Sequence, residues 1–215
     1  MQPCILCGTF SRDGVWCNAC DAQLPRLNNA HCPICGLPSL NSDICGSCLK
    51  HAPSFDATQA AFAYAFPVDK LVQAVKFSGR LALVDQLADS LASRIVSLPD
   101  HIIAMPLHPL RLRERGFNQS HLLAQRLAKN LNVSLLTDVC QRTRNTLPQS
   151  SLPWQERDKN MRGAFACSTD LSGKHIAVVD DVMTTGISIE ELARSLRQAG
   201  AVQISAWVLA RTLPH

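Results

Sequence analysis

Eight cysteines near the start of the chain limit most strongly what it can fold into. They form four C-x-x-C pairs within the first 48 residues, and nine residues separate Cys7 from Cys17 just as nine separate Cys35 from Cys45. A segment of about fifty residues that is rich in Cys, Pro, Gly and Asn cannot bury enough apolar surface to fold unaided. The pattern therefore predicts a small metal-stabilised module with an internal repeat.

Zinc is the metal that fits this pattern best. Four thiolates complete a tetrahedral zinc site and leave no position for a reactive water, so we expect two structural zinc ions. Disulfides and redox-active thiols are the weaker alternatives. The ligands could be shared in chain order or in a cross-braced arrangement, and we favour chain order. One ion then binds Cys4, Cys7, Cys17 and Cys20, and the other binds Cys32, Cys35, Cys45 and Cys48. Cys140 and Cys167 lie outside the repeat, and we expect them to be buried and not to bind metal.

The formal net charge of +4 is weak evidence for a nucleic-acid partner. Each zinc with four thiolates carries a net charge of −2, so two such sites would cancel the excess. Local charge is more informative, because residues 111–162 hold ten Lys or Arg against four Asp or Glu. If DNA binds, we expect this stretch to contact it.

No feature of the sequence indicates export or a membrane. No basic segment followed by an apolar one opens the chain, as a secretory leader would require. Apolar runs such as "ISAWVLA" are far shorter than the roughly 18 residues of a membrane span. We expect a cytoplasmic protein without membrane insertion.

The sequence changes character after the cysteine-rich segment. We predict a double zinc ribbon over residues 1–50, a linker over 51–60 and an α/β domain over 61–215. Strand-like runs such as "HIIAMPL" and "KHIAVVDD" alternate with segments of helical periodicity. This alternation predicts a parallel sheet with helices on both faces. The stretch Val133–Cys167 does not fit the alternation, and we expect it to lie as a hood over the edge of the sheet.

The segment "IAVVDDVMTTG" at residues 176–186 is the strongest candidate for a binding site. It predicts a strand, a tight loop and the start of a helix, and ligands of open α/β sheets bind beyond the carboxyl ends of the strands. The backbone N–H groups of residues 183–188 would favour a phosphate there. The expected contacts to the phosphorylated ligand are Val182, Met183, Thr184, Thr185, Gly186 and Ser188.

Asp180 and Asp181 have a different partner, because two carboxylates repel a phosphate. They can accept hydrogen bonds from sugar hydroxyls and can hold a magnesium ion through its waters. The combination of an acidic pair and a phosphate loop therefore predicts a phosphorylated sugar as ligand.

The extended segment "IAVVDDVMTTGIS" resembles the phosphoribosyl-pyrophosphate (PRPP) binding motif of type I phosphoribosyltransferases. Four further segments resemble the ComF family, whose members join an N-terminal zinc ribbon to a phosphoribosyltransferase-like domain. The doubled ribbon is most similar to members of the GntX/YhgH type. The four segments are "VKFSGR" (75–80), "ERGFNQS" (114–120), "RTRNTLPQ" (142–149) and "ERDKNMRGAF" (156–165).

The resemblance implies a type I phosphoribosyltransferase-like fold, PRPP and magnesium as ligands, and a role in using DNA taken up from outside. In an active transferase Asp180 and Asp181 would be the catalytic residues. They would position the ribose and stabilise the positive charge that develops as pyrophosphate leaves. The acceptor, a nitrogen base, would bind under the hood. Contacts to pyrophosphate or to nucleic acid would come from Lys76, Arg80, Arg113 and Arg115.

Two other classes of function stay open on the sequence alone. The chain could be a non-catalytic module that binds PRPP, a nucleotide or single-stranded DNA. It could also be a scaffold that holds DNA-processing protein partners.

Overall fold

The cysteine-rich segment folds into two small units with little regular structure. The computed structural model describes residues 2–12, 14–27, 30–144 and 161–214, and of Ser78 only the backbone. The first unit contains an antiparallel pair, β1 (Gln2–Pro3) and β2 (Phe10–Ser11), followed by helix α1 (Asn18–Ala22). The second contains helix α2 (Gly46–Lys50).

The rest of the chain is built on a five-stranded parallel sheet. Its order is β3-β9-β8-β4-β5, so β8 is the central strand. The remaining strands, β6 and β7, form a separate antiparallel pair. In chain order the strands are β3 (Ala57–Ala63), β4 (His101–Ala104), β5 (Ser134–Leu136), β6 (Cys140–Arg142), β7 (Phe165–Cys167), β8 (His175–Met183) and β9 (Gln203–Arg211).

Helices cover both faces of the sheet, as the sequence predicts. Apolar residues of α3, α4 and α6 share one buried cluster with the sheet, and those of α7 share a second cluster on the other face. The sequence sets the helix ends: α3 stops where Gly79 takes a left-handed conformation with φ of 60°, and the Asn118 side chain caps α6. The described helices of this domain are α3 (Val68–Ser78), α4 (Ala82–Ala92), α5 (Pro109–Arg115), α6 (Gln119–Leu131) and α7 (Ile187–Gln198).

Strand β8 is longer than its sequence suggested. Val182 and Met183, expected in the loop, continue the strand and pair in register with Ala210 and Arg211 of β9. The loop before α7 is therefore reduced to residues 184–186. The strand continues because β9, which is long and buried, forms backbone hydrogen bonds with β8 beyond the two aspartates.

The arginine-rich segment after β4 forms helix α5, because Pro109 at its first turn and the capping side chain of His108 start it. Two further elements differ from expectation. Within the expected hood, residues 134–136 form the edge strand β5, and residues 145–160 lie outside the described part. Strand β3 begins at Ala57, inside the predicted linker. Among the described residues, no helix is long and apolar enough to cross a bilayer.

Candidate functional site

The eight N-terminal cysteines form two groups of four in chain order. Within each group the sulfur atoms all lie within 4.8 Å of one another. The Sγ–Sγ distances are 3.8 Å between Cys7 and Cys17 and 3.7 Å between Cys35 and Cys45. Four thiolates at about 2.3 Å from a tetrahedral zinc would be about 3.8 Å apart, so the groups fit zinc. The arrangement is sequential and not cross-braced.

Cys140 and Cys167, which we expected only to be buried, are joined by a disulfide. They face each other across the β6–β7 pair with their Cα atoms 4.2 Å apart. No local pattern pairs them, because 27 positions separate them in the chain.

Asp181 lies in the network of side chains that meets the end of β8. It is 5% exposed, and its Oδ2 accepts from Lys76 Nζ of α3 at 2.6 Å. The same oxygen accepts from Gln119 Nε2 at the start of α6, 3.3 Å away. Burial alone would lower the pKa of Lys76, but attraction to Asp181 and Asp180 raises it above the ordinary value. The expected contact residue Lys76 is thus a partner of the acidic pair.

Asp180 is held at the same end of the strand by a different donor. Ser120 Oγ donates to its Oδ1 at 2.9 Å, and the backbone N–H of Asp181 donates to the same oxygen at 2.9 Å. Burial, followed by repulsion from Asp181, raises the pKa of Asp180 from 3.8 to about 7. Lys76 and Ser120 oppose this rise. Near neutral pH Asp180 can therefore gain or lose a proton.

The start of α6 brings the "ERGFNQS" segment to the acidic pair. Asn118 Oδ1 accepts from the N–H of Ser120 at 3.0 Å, while its Nδ2 donates to the carbonyl of Met105 after β4 at 3.0 Å. Arg115 Nη1 donates to Gln119 Oε1 at 2.6 Å. Sequence analysis missed Gln119 and Ser120 as neighbours of the acidic pair, although both belong to a segment that it singled out.

The four basic residues predicted to contact pyrophosphate or nucleic acid lie in different environments. Arg115 lies over the exposed ring of Phe77, 5.5 Å from its centroid, and reaches Asp181 only through Gln119. Arg80 and Arg113 are exposed, Arg80 just beyond α3 and Arg113 on α5. The structure therefore places Lys76 and Arg115 in the network around the acidic pair.

Two arginines that the sequence analysis included only within the basic stretch 111–162 influence each other near this network. Burial, followed by repulsion from Arg111, lowers the pKa of Arg142, and attraction to Asp180 opposes this effect. Arg142 begins the quoted segment "RTRNTLPQ", and that segment is the signal that could have identified it. An anion at this end of the sheet would reduce the repulsion between the two guanidinium groups.

The loop of residues 184–186 turns sharply from β8 into α7. Gly186 has φ of 84°, and a Cβ there would lie 2.7 Å from Met183 Cε, so a side chain would be strained and crowded. Thr185 Oγ1 accepts from the N–H of Ile187 at 3.3 Å, and Thr184 is exposed. The loop therefore presents backbone and hydroxyl groups at a helix N-terminus, as predicted for a phosphate.

Arg211 joins this loop to the second zinc unit. It is 2% exposed at the end of β9, and its Nε donates to the carbonyl of Cys35 at 2.8 Å. Its Nη1 donates to the carbonyls of Met183 at 2.9 Å and Thr212 at 3.0 Å, and also to that of Thr184. Sequence analysis missed Arg211, although an arginine that closes an apolar strand beside the acidic strand was a usable signal.

Comparisons with known proteins agree with this architecture. A family model described as a double zinc ribbon domain matches residues 2–49, and one described as a phosphoribosyl transferase domain matches residues 118–213. The DNA utilization protein YhgH of Escherichia coli K12 is 35% identical over 221 residues, covering 98% of this chain and 97% of that protein. Competence protein F of Haemophilus influenzae is 31% identical over 207 residues, covering 91% and 90%.

Among solved structures, a glutamine PRPP amidotransferase from B. subtilis aligns with a TM-score of 0.40 and 17% identity over 57% of this chain and 25% of that one.

Two relatives match almost the whole length of the chain at more than 30% identity, and the order of the matched domains is the same as the order found in the structure. The chain is a member of the ComF family, with an N-terminal double zinc ribbon and a type I phosphoribosyltransferase-like domain.

Proposed function

We propose that the protein binds a phosphoribosyl ligand, PRPP with magnesium, at the carboxyl end of β8. One observation carries the proposal: the central strand holds two fixed carboxylates near its carboxyl end, and the phosphate-type loop begins after two intervening residues. Carboxylates would hold the ribose while the loop holds its 5-phosphate. Neither feature alone would select a phosphorylated sugar.

The residues divide the binding between them. The start of α7 and the hydroxyls of Thr184 and Ser188 would hold the phosphate. Asp180, once ionised, would accept from a ribose hydroxyl. Asp181 is already engaged by Lys76 at 2.6 Å, so its part would be to fix that cation near the pyrophosphate.

Magnesium fits the acidic pair through water more readily than by direct contact. Direct coordination by Asp181 Oδ2 would displace Lys76, whereas Asp180 has a second carboxylate oxygen for a bound water. When bound, the ion would help to neutralise the pyrophosphate. Lys76 and Arg115 would add positive charge on the same side, which is what departure of pyrophosphate requires.

The relatives' names suggest the process that this site serves. Relatives are called DNA utilization protein and competence protein, so we propose that the chain also takes part in the use of DNA from outside the cell. Whether the chain transfers the phosphoribosyl group or only binds it is decided by pyrophosphate release in the presence of acceptor bases.

Thermal unfolding of the zinc-loaded protein with and without PRPP and magnesium tests the proposal. Ligand at 100 times its dissociation constant should stabilise the wild type by ~2.7 kcal/mol. Asp180→Asn/Asp181→Asn should lose this shift while remaining folded with both zinc ions. Asp85→Asn, which removes an exposed carboxylate paired with Arg126, should keep it. Absence of a shift in the folded wild type would contradict the proposal.

The raised pKa of Asp180 predicts a definite pH dependence. Between pH 3.8 and about 7 the folded, ligand-free protein holds a proton that the unfolded chain releases. The stability from this proton is complete below pH 3.8 and is lost as pH rises through about 7. Urea unfolding at pH 5 and pH 7.5 should show the wild type losing more stability than Asp180→Asn, whereas parallel losses would refute the assignment.

Ligand binding should change with pH in the opposite direction. A ligand that needs the anion of Asp180 should bind about tenfold more tightly at pH 8 than at pH 6, because the ionised fraction rises from about a tenth to about nine tenths. The measurement is PRPP affinity at constant magnesium and ionic strength.

Single-stranded DNA is a second candidate ligand, favoured by the mutual repulsion of Arg111 and Arg142 near Asp180. An oligothymidylate should then bind with a steep salt dependence, and the slope should fall in Arg113→Gln/Arg115→Gln and in Arg111→Gln/Arg142→Gln. If the salt dependence of binding is unchanged in both double variants, these four arginines do not form the DNA contact.

A further inference from the structure

Arg211 is a buried cation between the second zinc unit and the phosphate loop. Its side chain is 2% exposed, and its hydrogen bonds go to backbone carbonyls. Burial lowers the pKa of Arg211, and attraction to the thiolates of Cys35 and Cys48 opposes this effect. A buried guanidinium needs a compensating negative charge. Since zinc with four thiolates carries a net charge of −2, the second metal site supplies that charge.

The guanidinium of Arg211 joins this metal site to the loop. Its Nε donates to the carbonyl of Cys35 at 2.8 Å, and its Nη1 donates to the carbonyl of Thr184, the first residue of the loop. Cys35 belongs to the second group of four cysteines, so a bound metal fixes the position of its carbonyl. Because the guanidinium is planar and rigid, a shift of that carbonyl is transmitted to Thr184.

The bond to Thr184 also orients a group that faces the ligand side of the loop. The peptide unit between Thr184 and Thr185 is planar and trans, so its carbonyl and its N–H point in opposite directions. Holding the carbonyl on Arg211 therefore fixes the direction of the Thr185 N–H, one of the N–H groups expected to hold a phosphate.

Other polar contacts of the two zinc units end on the sheet or on a helix. Thr58 of β3 donates its hydroxyl to the carbonyl of Ile34 at 2.5 Å, which holds the second unit on the sheet. The first unit donates the N–H of Val15 to Gln86 of α4 at 2.8 Å. Arg211 differs from these contacts because it bonds a zinc unit and the loop at the same time.

We propose that Arg211 is a positioning residue through which zinc at the second site sets the shape of the phosphate loop. Zinc at this site and the phosphoribosyl ligand then strengthen each other's binding, and zinc at the first site lacks this link. The inference rests on the proposed phosphoribosyl function and adds its regulation by zinc. Coupling between two binding sites is reciprocal and typically changes an affinity by about 5–150-fold.

The affinity of each site for zinc, measured with and without PRPP, tests the coupling. A zinc-selective chelator is titrated into the zinc-loaded protein in the presence of magnesium, with or without PRPP at a concentration that saturates the protein. A short pulse of alkylation labels the cysteines that have lost zinc, and mass spectrometry of the peptides identifies the site.

The informative quantity is a ratio, because a ligand that stabilises the whole fold protects both sites. It is the factor by which PRPP raises zinc affinity at the second site, divided by the factor at the first site. The ratio should be about ten in the wild type.

Two variants of Arg211 remove the link in different ways. Arg211→Met removes the guanidinium, whereas Arg211→Lys keeps the buried charge but lacks the fork that spans two carbonyls. Both should lower the ratio to about one, and Arg211→Lys keeps the test decisive if Arg211→Met does not fold. Gln86→Met removes the polar contact of the first unit and should keep the ratio at about ten.

Three results would overturn the inference. If PRPP stabilises the wild type but raises the zinc affinity of both sites equally or of neither, the loop is not coupled to the second site, although the phosphoribosyl function stands. If a folded Arg211 variant keeps the wild-type ratio, this side chain does not carry the coupling. If PRPP does not bind the zinc-loaded wild type, the proposed function and the inference fail together.

Discussion

The two zinc units share one spacing of cysteines and lie in different surroundings. Each position of the first unit corresponds to a position 28 residues later in the second, so that Cys4 corresponds to Cys32 and Cys20 to Cys48. The metal sites are therefore equivalent. The residues between and beside the cysteines decide what each unit contacts.

The first unit extends the main apolar core. Trp16, 1% exposed, and Cys4, 2% exposed, belong to the buried cluster that contains α3, α4 and α6. The backbone N–H of Val15 donates to Gln86 Oε1 of α4 at 2.8 Å. This unit packs on the face of the sheet that α3, α4 and α6 cover. We therefore expect it to contribute mainly to the stability of the fold.

The second unit is attached to the sheet through polar contacts and through the packing of Ile34 on the other core cluster. Its buried cysteines form a small cluster of their own, and Thr58 and Arg211 connect it to the sheet. Ile44, the counterpart of Trp16, is 41% exposed. The comparison teaches that units with the same cysteine spacing pack differently: the first joins the core, and the second is connected through Arg211 to the loop of residues 184–186.

Removal of one zinc at a time should have the largest effect. Cys7→Ser and Cys35→Ser should each leave one zinc per chain and lower the unfolding temperature by many degrees, because zinc binding in isolated fingers contributes about 10–16 kcal/mol. Cys7→Ser should keep a PRPP-dependent shift at temperatures where it is folded, and Cys35→Ser should lose it. Metal analysis and unfolding scans measure both effects, and equal losses of the ligand shift would break the comparison.

A pair of core substitutions should give the next largest difference. Trp16→Ala should cost about 3–5 kcal/mol of unfolding free energy, because a large cavity opens in the shared core. Its counterpart Ile44→Ala should cost about 1 kcal/mol, because Ile44 is already 41% exposed and less buried apolar surface is lost. Urea denaturation with zinc in excess measures both, and similar costs would show that the units are equally embedded.

Local patterns were sufficient for much of the fold. The cysteine spacing predicted both metal groups, because four ligands on two tight turns leave few other arrangements. The alternation of apolar strands and helices predicted the parallel sheet. Each of these depends on residues close together in the chain.

The features that could not be predicted from the sequence are contacts between residues far apart in the chain. Gln119 and Asp181 are 62 positions apart, and Arg211 and Cys35 are 176 apart. No periodicity encodes such pairs. The same reason explains why the start of α6 was not connected with the acidic pair.

The hydrogen bonds that connect the second zinc unit to the sheet should contribute less to stability than the packing of Trp16 does, and more to PRPP binding. Arg211→Met removes the guanidinium that donates to the carbonyls of Cys35 and Thr184 and should cost about 1–3 kcal/mol. It should also weaken PRPP binding. Gln86→Met, which removes the corresponding contact of the first unit, should cost about 1 kcal/mol and leave PRPP affinity unchanged. Equal affinities in the two variants would contradict a special role for the second unit.

The smallest expected difference lies between two equivalent glycines. Gly8 and Gly36 each follow the second cysteine of their unit with φ of 78° and 69°, so an alanine at either position should cost about 1 kcal/mol from backbone strain. At Gly8 a Cβ would meet nothing within 4 Å, but at Gly36 it would lie 3.2 Å from Thr58 Cγ2 and 3.7 Å from Arg211 Cδ.

Gly36→Ala should therefore be the less stable variant, and it alone should weaken PRPP binding, because the methyl group crowds Thr58, which connects the zinc unit to the sheet. Denaturation and PRPP titration of the two variants in parallel measure this difference. If the two variants have the same stability and the same PRPP affinity, the second zinc unit can shift slightly at its contacts with the sheet without disturbing the phosphate loop.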